Sequence, residues 1–151
     1  MISKHISDKE GVYRITAIRR GLDNTPTKTH LNSMKELAEQ VFEPLREWVG
    51  GPIRVNSFYR GEELNKAIGG SNTSQHCKGQ AMDIDDTRCK KTNAEMFKWI
   101  KENLNFDQII WEFGNDKNPD WIHVSYVDEV NNRNRCLKAY KKRGKTKYIV
   151  I

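Results

Sequence analysis

The stretch from Ser74 to Asp85, Ser-Gln-His-Cys-Lys-Gly-Gln-Ala-Met-Asp-Ile-Asp, constrains this chain more than any other. From Ala81 onward it alternates Met82 and Ile84 with Asp83 and Asp85, the two-residue period of a strand with one apolar and one polar face. His76 precedes Asp83 by seven residues, and Gly79 between them lets the backbone turn tightly. The segment Trp121 to Tyr126 alternates in the same way. Ile122, Val124 and Tyr126 fall on one side, and Trp121, His123 and Ser125 fall on the other. The pattern predicts a sheet whose apolar face is covered and whose polar face displays Asp83 and His123, with His76 supplied by the loop before the first of these strands. Two imidazoles and one carboxylate, with no evident fourth ligand, match the donor count of a catalytic zinc site that keeps a place for water.

The remaining pattern says what covers the apolar face. Leu31, Met34, Leu37, Val41, Leu45 and Trp48 recur at helical spacing, which predicts a core helix over 31–49 that Pro44 kinks or divides and Gly50-Gly51 ends. Ser7 with Glu10, and Thr92 with Glu95, have the form of capping boxes that open helices, the second running to about Asn103. Glu62 to Ile68 reads as a short helix stopped by Gly69-Gly70. Ile53 and Val55, Asp107 to Phe113 and Tyr148 to Ile151 read as further strands, the last at a sheet edge. Gly114 to Pro119 reads as a hairpin loop. Helices first and site-bearing strands later predict one α+β domain, with a mainly antiparallel sheet and helices packed on the face opposite the metal. The packing of a basic C-terminal extension, 127–151, stays open.

A chain of 151 residues with mean hydropathy −0.81 suits a single domain with a full core and a polar surface. No run is apolar enough to insert in a membrane, and the first ten residues lack the apolar centre of a cleavable signal peptide. The net charge of +6 predicts attraction to polyanions, among them nucleic acid, anionic membranes and cell-wall polymers. The late cluster from Arg133 to Lys147 reads as a solvated basic surface. Three cysteines, Cys77, Cys89 and Cys136, without a Cys-x-x-Cys pair argue against a disulfide framework and read as free thiols. His5 and His30 read as ordinary hydrogen-bonded side chains.

Four stretches carry a resemblance to a known family: Ser57-Phe-Tyr-Arg60, Leu64-Asn-Lys-Ala-Ile-Gly-Gly70, Ser74 to Asp83, and Trp121-Ile-His-Val124. Together they resemble the zinc D-alanyl-D-alanine peptidases. That family takes in carboxypeptidases, dipeptidases and the L-alanyl-D-glutamate endopeptidases of phage lysins. The resemblance spans about residues 1–126 and implies the Hedgehog/D-Ala-D-Ala peptidase-like fold, with one zinc per chain held by His76, Asp83 and His123. It implies that Arg60 stabilises the oxyanion, that Ser74 contacts substrate, and that the residue three before the last ligand, Asp120, is the general base. Many members carry Glu at that place and some endolysin-like members carry Asp. Asp120 would take a proton from the attacking water and pass it to the leaving amine. Glu112, a carboxylate among Ile109, Ile110, Trp111 and Phe113, is the alternative base, or a partner that orients a ligand histidine. Gln80 and Asp85 are weaker candidates for orienting ligands.

These readings converge on a zinc-dependent peptidase, most simply a monomer, that cleaves an amide in the peptide stem of peptidoglycan. It would be made in the cytoplasm and reach the wall by holin-type or other release independent of a signal peptide. A zinc-containing wall-binding module without turnover is the alternative. It gains weight if Asp120 and Glu112 both point away from the metal. Specific nucleic-acid binding rests on the basic tail alone, without any helix-turn-helix, finger or aromatic RNA-binding signature.

Overall fold

A computed structural model describes residues 1–151 and shows one α+β domain. Its sheet has six strands, β1 (Arg54–Ser57), β2 (Ala81–Asp85), β3 (Gln108–Glu112), β4 (Trp121–Ser125), β5 (Arg135–Lys142) and β6 (Lys145–Val150), in the spatial order β1-β2-β4-β3-β5-β6. Every neighbouring pair is antiparallel except β3 and β5. The helices are α1 (Asp8–Val12), α2 (Ile15–Arg20), α3 (Lys28–Leu37), α4 (Glu43–Val49), α5 (Glu62–Ala67) and α6 (Asn93–Asn103). None is long and apolar enough to cross a membrane.

The predicted alternation sorts the sheet into two faces. Met82, Ile84, Ile109, Ile122 and Val124 join Met34, Leu37, Val41, Leu45, Met96 and Ile100 from the helices in one buried core. The amphipathic pattern of 31–49 thus has its apolar stripe on the sheet, where burial of each large side chain contributes about 1.5–3 kcal/mol. Trp48 at the edge of this layer stacks on Trp99 of α6 at 5.2 Å. Pro44 divides the long helix, as its missing N–H requires. It lies in the first turn of α4, directly after a π-helical turn over Ala38–Phe42. Ser7 and Thr92 both complete their capping boxes.

Two elements differ from the sequence reading. Ile15–Arg20 forms a helix without an apolar pattern to announce it, and Ile15 and Ile18 remain exposed. Residues 135–150 form a hairpin whose first strand joins the sheet parallel to β3. Pairing between β3 and a strand whose partner residues lie 27 positions later depends on a connection that has no local sequence signal.

Register across the sheet places the site. Asp83 of β2 faces His123 of β4, His123 faces Ile110 of β3, and Ile110 faces Leu137 of β5. The neighbouring row on the same face is Trp121, Glu112, Ala139 and Tyr148. This row puts Glu112 diagonal to His123, within reach of a long side chain.

Candidate metal centre

His76 arrives from outside the sheet. Ser74 caps a single 3-10 turn, Gln75–Lys78, by accepting from the His76 N–H at 3.3 Å, and Gly79 closes that turn in the left-handed conformation. A Cβ on Gly79 would lie 2.5 Å from the His30 carbonyl oxygen, so only glycine lets the turn sit against α3. The turn buries His76 and presses its Nδ1 to 2.8 Å from the Phe58 carbonyl oxygen. A carbonyl can only accept, so Nδ1 carries the proton and Nε2 turns its lone pair towards Asp83 Oδ1, 3.4 Å away. His123 Nδ1 approaches the same oxygen at 3.1 Å.

One donor atom from each of His76, Asp83 and His123 lies within 4.8 Å of the others. A neutral imidazole aimed at a carboxylate oxygen is unfavourable unless a cation sits between them, and a proton or a divalent metal ion supplies one. Two nitrogens and one oxygen, with the tautomer of His76 fixed by a backbone carbonyl, fit a metal ion well. Burial pushes the Asp83 carboxyl upward, but the charges and hydrogen bonds of the two histidines outweigh it and hold its pKa well below the ordinary range.

The three residues open onto a cleft of about 700 Å³ that Arg60, Ser74, Glu112 and Trp121 also line. Arg60 follows β1 in a loop fastened from several directions. Its N–H donates to the His76 carbonyl at 3.1 Å, and its Nη2 donates to Ser74 Oγ at 3.1 Å. Burial lowers its pKa while the Asp83 charge opposes that shift, and a guanidinium stays charged throughout. Asn24 braces the loop, donating to the carbonyls of Val12 at 2.8 Å and Tyr59 at 3.2 Å and accepting from Gly61 N–H at 2.7 Å.

The two candidate bases part company here. Glu112 lies 8% exposed in the cleft, and burial raises its pKa to about 7, with His123 lowering it and Asp83 raising it further. Asp120 is exposed outside the strand and does not line the cleft. Its backbone N–H donates to the Glu112 carbonyl at 2.9 Å, and its carbonyl accepts from Asn93 Nδ2 at 3.2 Å. Asp120 therefore closes the β3–β4 loop through its backbone and is absent from the cleft lining that holds the residues it was expected to serve. The physical reason is that Asp120 precedes β4 in the loop from Gly114, where backbone hydrogen bonds hold it at the exposed end of the hairpin. Asp85 and Gln80 likewise do not touch the histidines. Asp85 accepts from Thr87 at 2.6 Å and from Asn93 at 3.4 Å, while Gln80 engages only through its backbone. His5 pairs with Glu43 at 2.6 Å and His30 caps α3, both away from the cleft. All three cysteines are free.

A family model described as Peptidase M15 matches residues 4–125, a span that holds the whole ligand set and Glu112. The chain belongs to the peptidase M15 family. No curated protein matches it. The M15 match agrees with the resemblance carried by the four sequence stretches, and it identifies the chain as a member of a metallopeptidase family. Beyond the M15 match, the β5–β6 hairpin supplies a further wall of the cleft, including Lys141, Thr146 and Tyr148, and Arg133 joins it from the preceding loop. Sequence reasoning read Arg133 and Lys141 as solvated basic surface and Tyr148 as part of an edge strand, since no motif ties them to the site.

Proposed function

We propose that the chain is a zinc-dependent M15 peptidase that hydrolyses an amide bond in the peptide stem of peptidoglycan. The observation that carries this reading is the convergence of His76, Asp83 and His123 beside a buried, cleft-facing Glu112. The donor set is the one that holds zinc while leaving it open to a further ligand. When bound there, zinc supplies Lewis-acid polarisation of the scissile carbonyl and lowers the pKa of a water molecule.

The chain's own residues do the rest. Glu112, with a pKa near neutrality, is matched to take the proton of the attacking water and return it to the leaving amine. This assignment replaces Asp120 with the carboxylate that shares the cleft. Arg60, fastened to Ser74 and to the His76 carbonyl, offers a fixed positive charge where an oxyanion would develop. Ser74 thus acts first by placing Arg60, and its position in the cleft wall also lets it meet substrate. The walls of the cleft, more than the ligands, select between a terminal D,D-bond and an L-alanyl-D-glutamate bond. Glu112 faces the ligands, so the observation that would have favoured a wall-binding module without turnover is not met.

The test is digestion of purified peptidoglycan, with products identified by mass spectrometry. New peptide ends that disappear with a chelator and return with added zinc are expected. Intact stems with zinc present would contradict the reading.

A further inference from the structure

Arg133 is built into the cleft in a way that a surface cation is not. Its Nε donates to Asp107 Oδ1 at 2.9 Å and its Nη2 to Oδ2 at 2.8 Å, a two-point fork. Its backbone N–H adds a third bond to Oδ1 at 3.2 Å. Asp107 itself is 1% exposed, and Gln75 Nε2 donates to its Oδ2 at 3.0 Å. Gln75 adjoins the ligand His76, so the clamp and the metal-binding turn share a support. The Arg133 side chain nevertheless remains half exposed and lines the same cleft as the three ligands. Of the five N–H donors of a guanidinium, two are used by Asp107, which leaves three for something else.

The charges lining the cleft indicate what that is. Its cations are Arg60, Arg133 and Lys141, and its carboxylates are Asp83 and Glu112. The two histidines engage Asp83, and Glu112 is the base of the proposed reaction. Lys141 donates to Thr146 Oγ1 at 2.9 Å and sits over the Phe113 ring, with no acid as partner. The unspent N–H donors of Arg133, in one lining with Arg60 and Lys141, favour a guest that brings an anionic acceptor.

We propose that Arg133 is a specificity-determining residue that binds a carboxylate of the peptide substrate, so that the segment beyond the M15 match sets which peptide is accepted. The inference rests on the peptidase reading for the identity of the guest as a peptide. That carboxylate is either the C-terminus of the stem or the free carboxylate of an internal acidic residue.

Calorimetric titration of the zinc-loaded Glu112→Gln protein separates these sources. Three synthetic stem peptides are compared: one with both carboxylates free, one amidated at the C-terminus, and one amidated at the internal acid. One of the two amidations is expected to weaken binding about 10-fold or more, the scale of one charged hydrogen bond lost. Arg133→Gln on this background is expected to weaken the free peptide equally and to remove the difference between peptides. Arg133→Lys, which keeps the charge and loses the fork, is expected to restore part of the preference and carries the test if Arg133→Gln unfolds. Equal weakening of all three peptides by the variants would reduce Arg133 to a structural tie and overturn the proposal. Cleavage of the free peptide by the unmodified chain is scored separately. Cleavage without discrimination overturns the carboxylate assignment alone, whereas absence of both cleavage and binding overturns the peptidase reading with it.

Discussion

Glu112 is costly to the fold when it is ionised. Burial is the main cause of its pKa of about 7, against an ordinary value of 4.5. Between those two pH values the native state holds a proton that the unfolded chain has released, so its contribution to stability declines as pH rises through the window. In metal-free protein, Glu112→Gln removes that cost. It is expected to raise stability by about 2–3 kcal/mol at pH 8 and to change it little at pH 4.5. Thermal unfolding at both pH values in the presence of chelator checks this. A variant no more stable than the parent at pH 8 would show that Glu112 is solvated. The three candidate ligands were legible in the sequence because each sits on the polar side of an alternating strand or beside a conspicuous glycine. Glu112 was legible only as the alternative base, because its approach to His123 depends on the pairing of Ile110 with His123, and such a register is not written in either strand alone.

The strands that carry Glu112 and His123 are joined by a turn with little tolerance. Phe113 and Gly114 both have positive φ, 58° and 68°, and a Cβ on Gly114 would lie 2.3 Å from the Asn118 carbonyl oxygen. Gly114→Ala is expected to destabilise the protein by about 2–4 kcal/mol and to lower activity more than stability alone explains, since the turn fixes Glu112. Denaturant unfolding beside peptide cleavage measures the two effects, and a variant within about 0.5 kcal/mol of the parent would contradict this account of the turn. Elements with strong local signals were legible, notably the two capping boxes, the core helix broken at Pro44, and the hairpin over 107–126. Helix α2 and strand β5 were not. The first buries only Ala17, so it has no apolar period, and the second owes its place to parallel pairing with a distant strand.

At the scale of the molecule, the M15 match ends at Ser125 while the sheet continues. Cys136 packs into the main core, and Leu137 and Ala139 pack with Ile110 on the site face. A chain ended after Tyr126 leaves β3 with an open edge and uncovers Ile110. Loss of cooperative unfolding, with aggregation, is expected. A soluble, cooperatively folding truncation would show that the hairpin is an accessory. The complete sheet gathers candidate ligands from a 3-10 turn, β2 and β4, a wall from β5–β6, and Glu112 from β3 into one cleft, and this arrangement is the basis for the proposal of a zinc peptidase with Glu112 as base. The most direct measurement compares Glu112→Gln with Asp120→Asn, both loaded with zinc and both assayed on stem peptides. Glu112→Gln is expected to retain one zinc per chain and to lose about 100-fold or more in cleavage rate. Asp120→Asn is expected to stay within a few-fold of the unmodified chain. Full activity in Glu112→Gln with loss in Asp120→Asn would contradict the account at its centre.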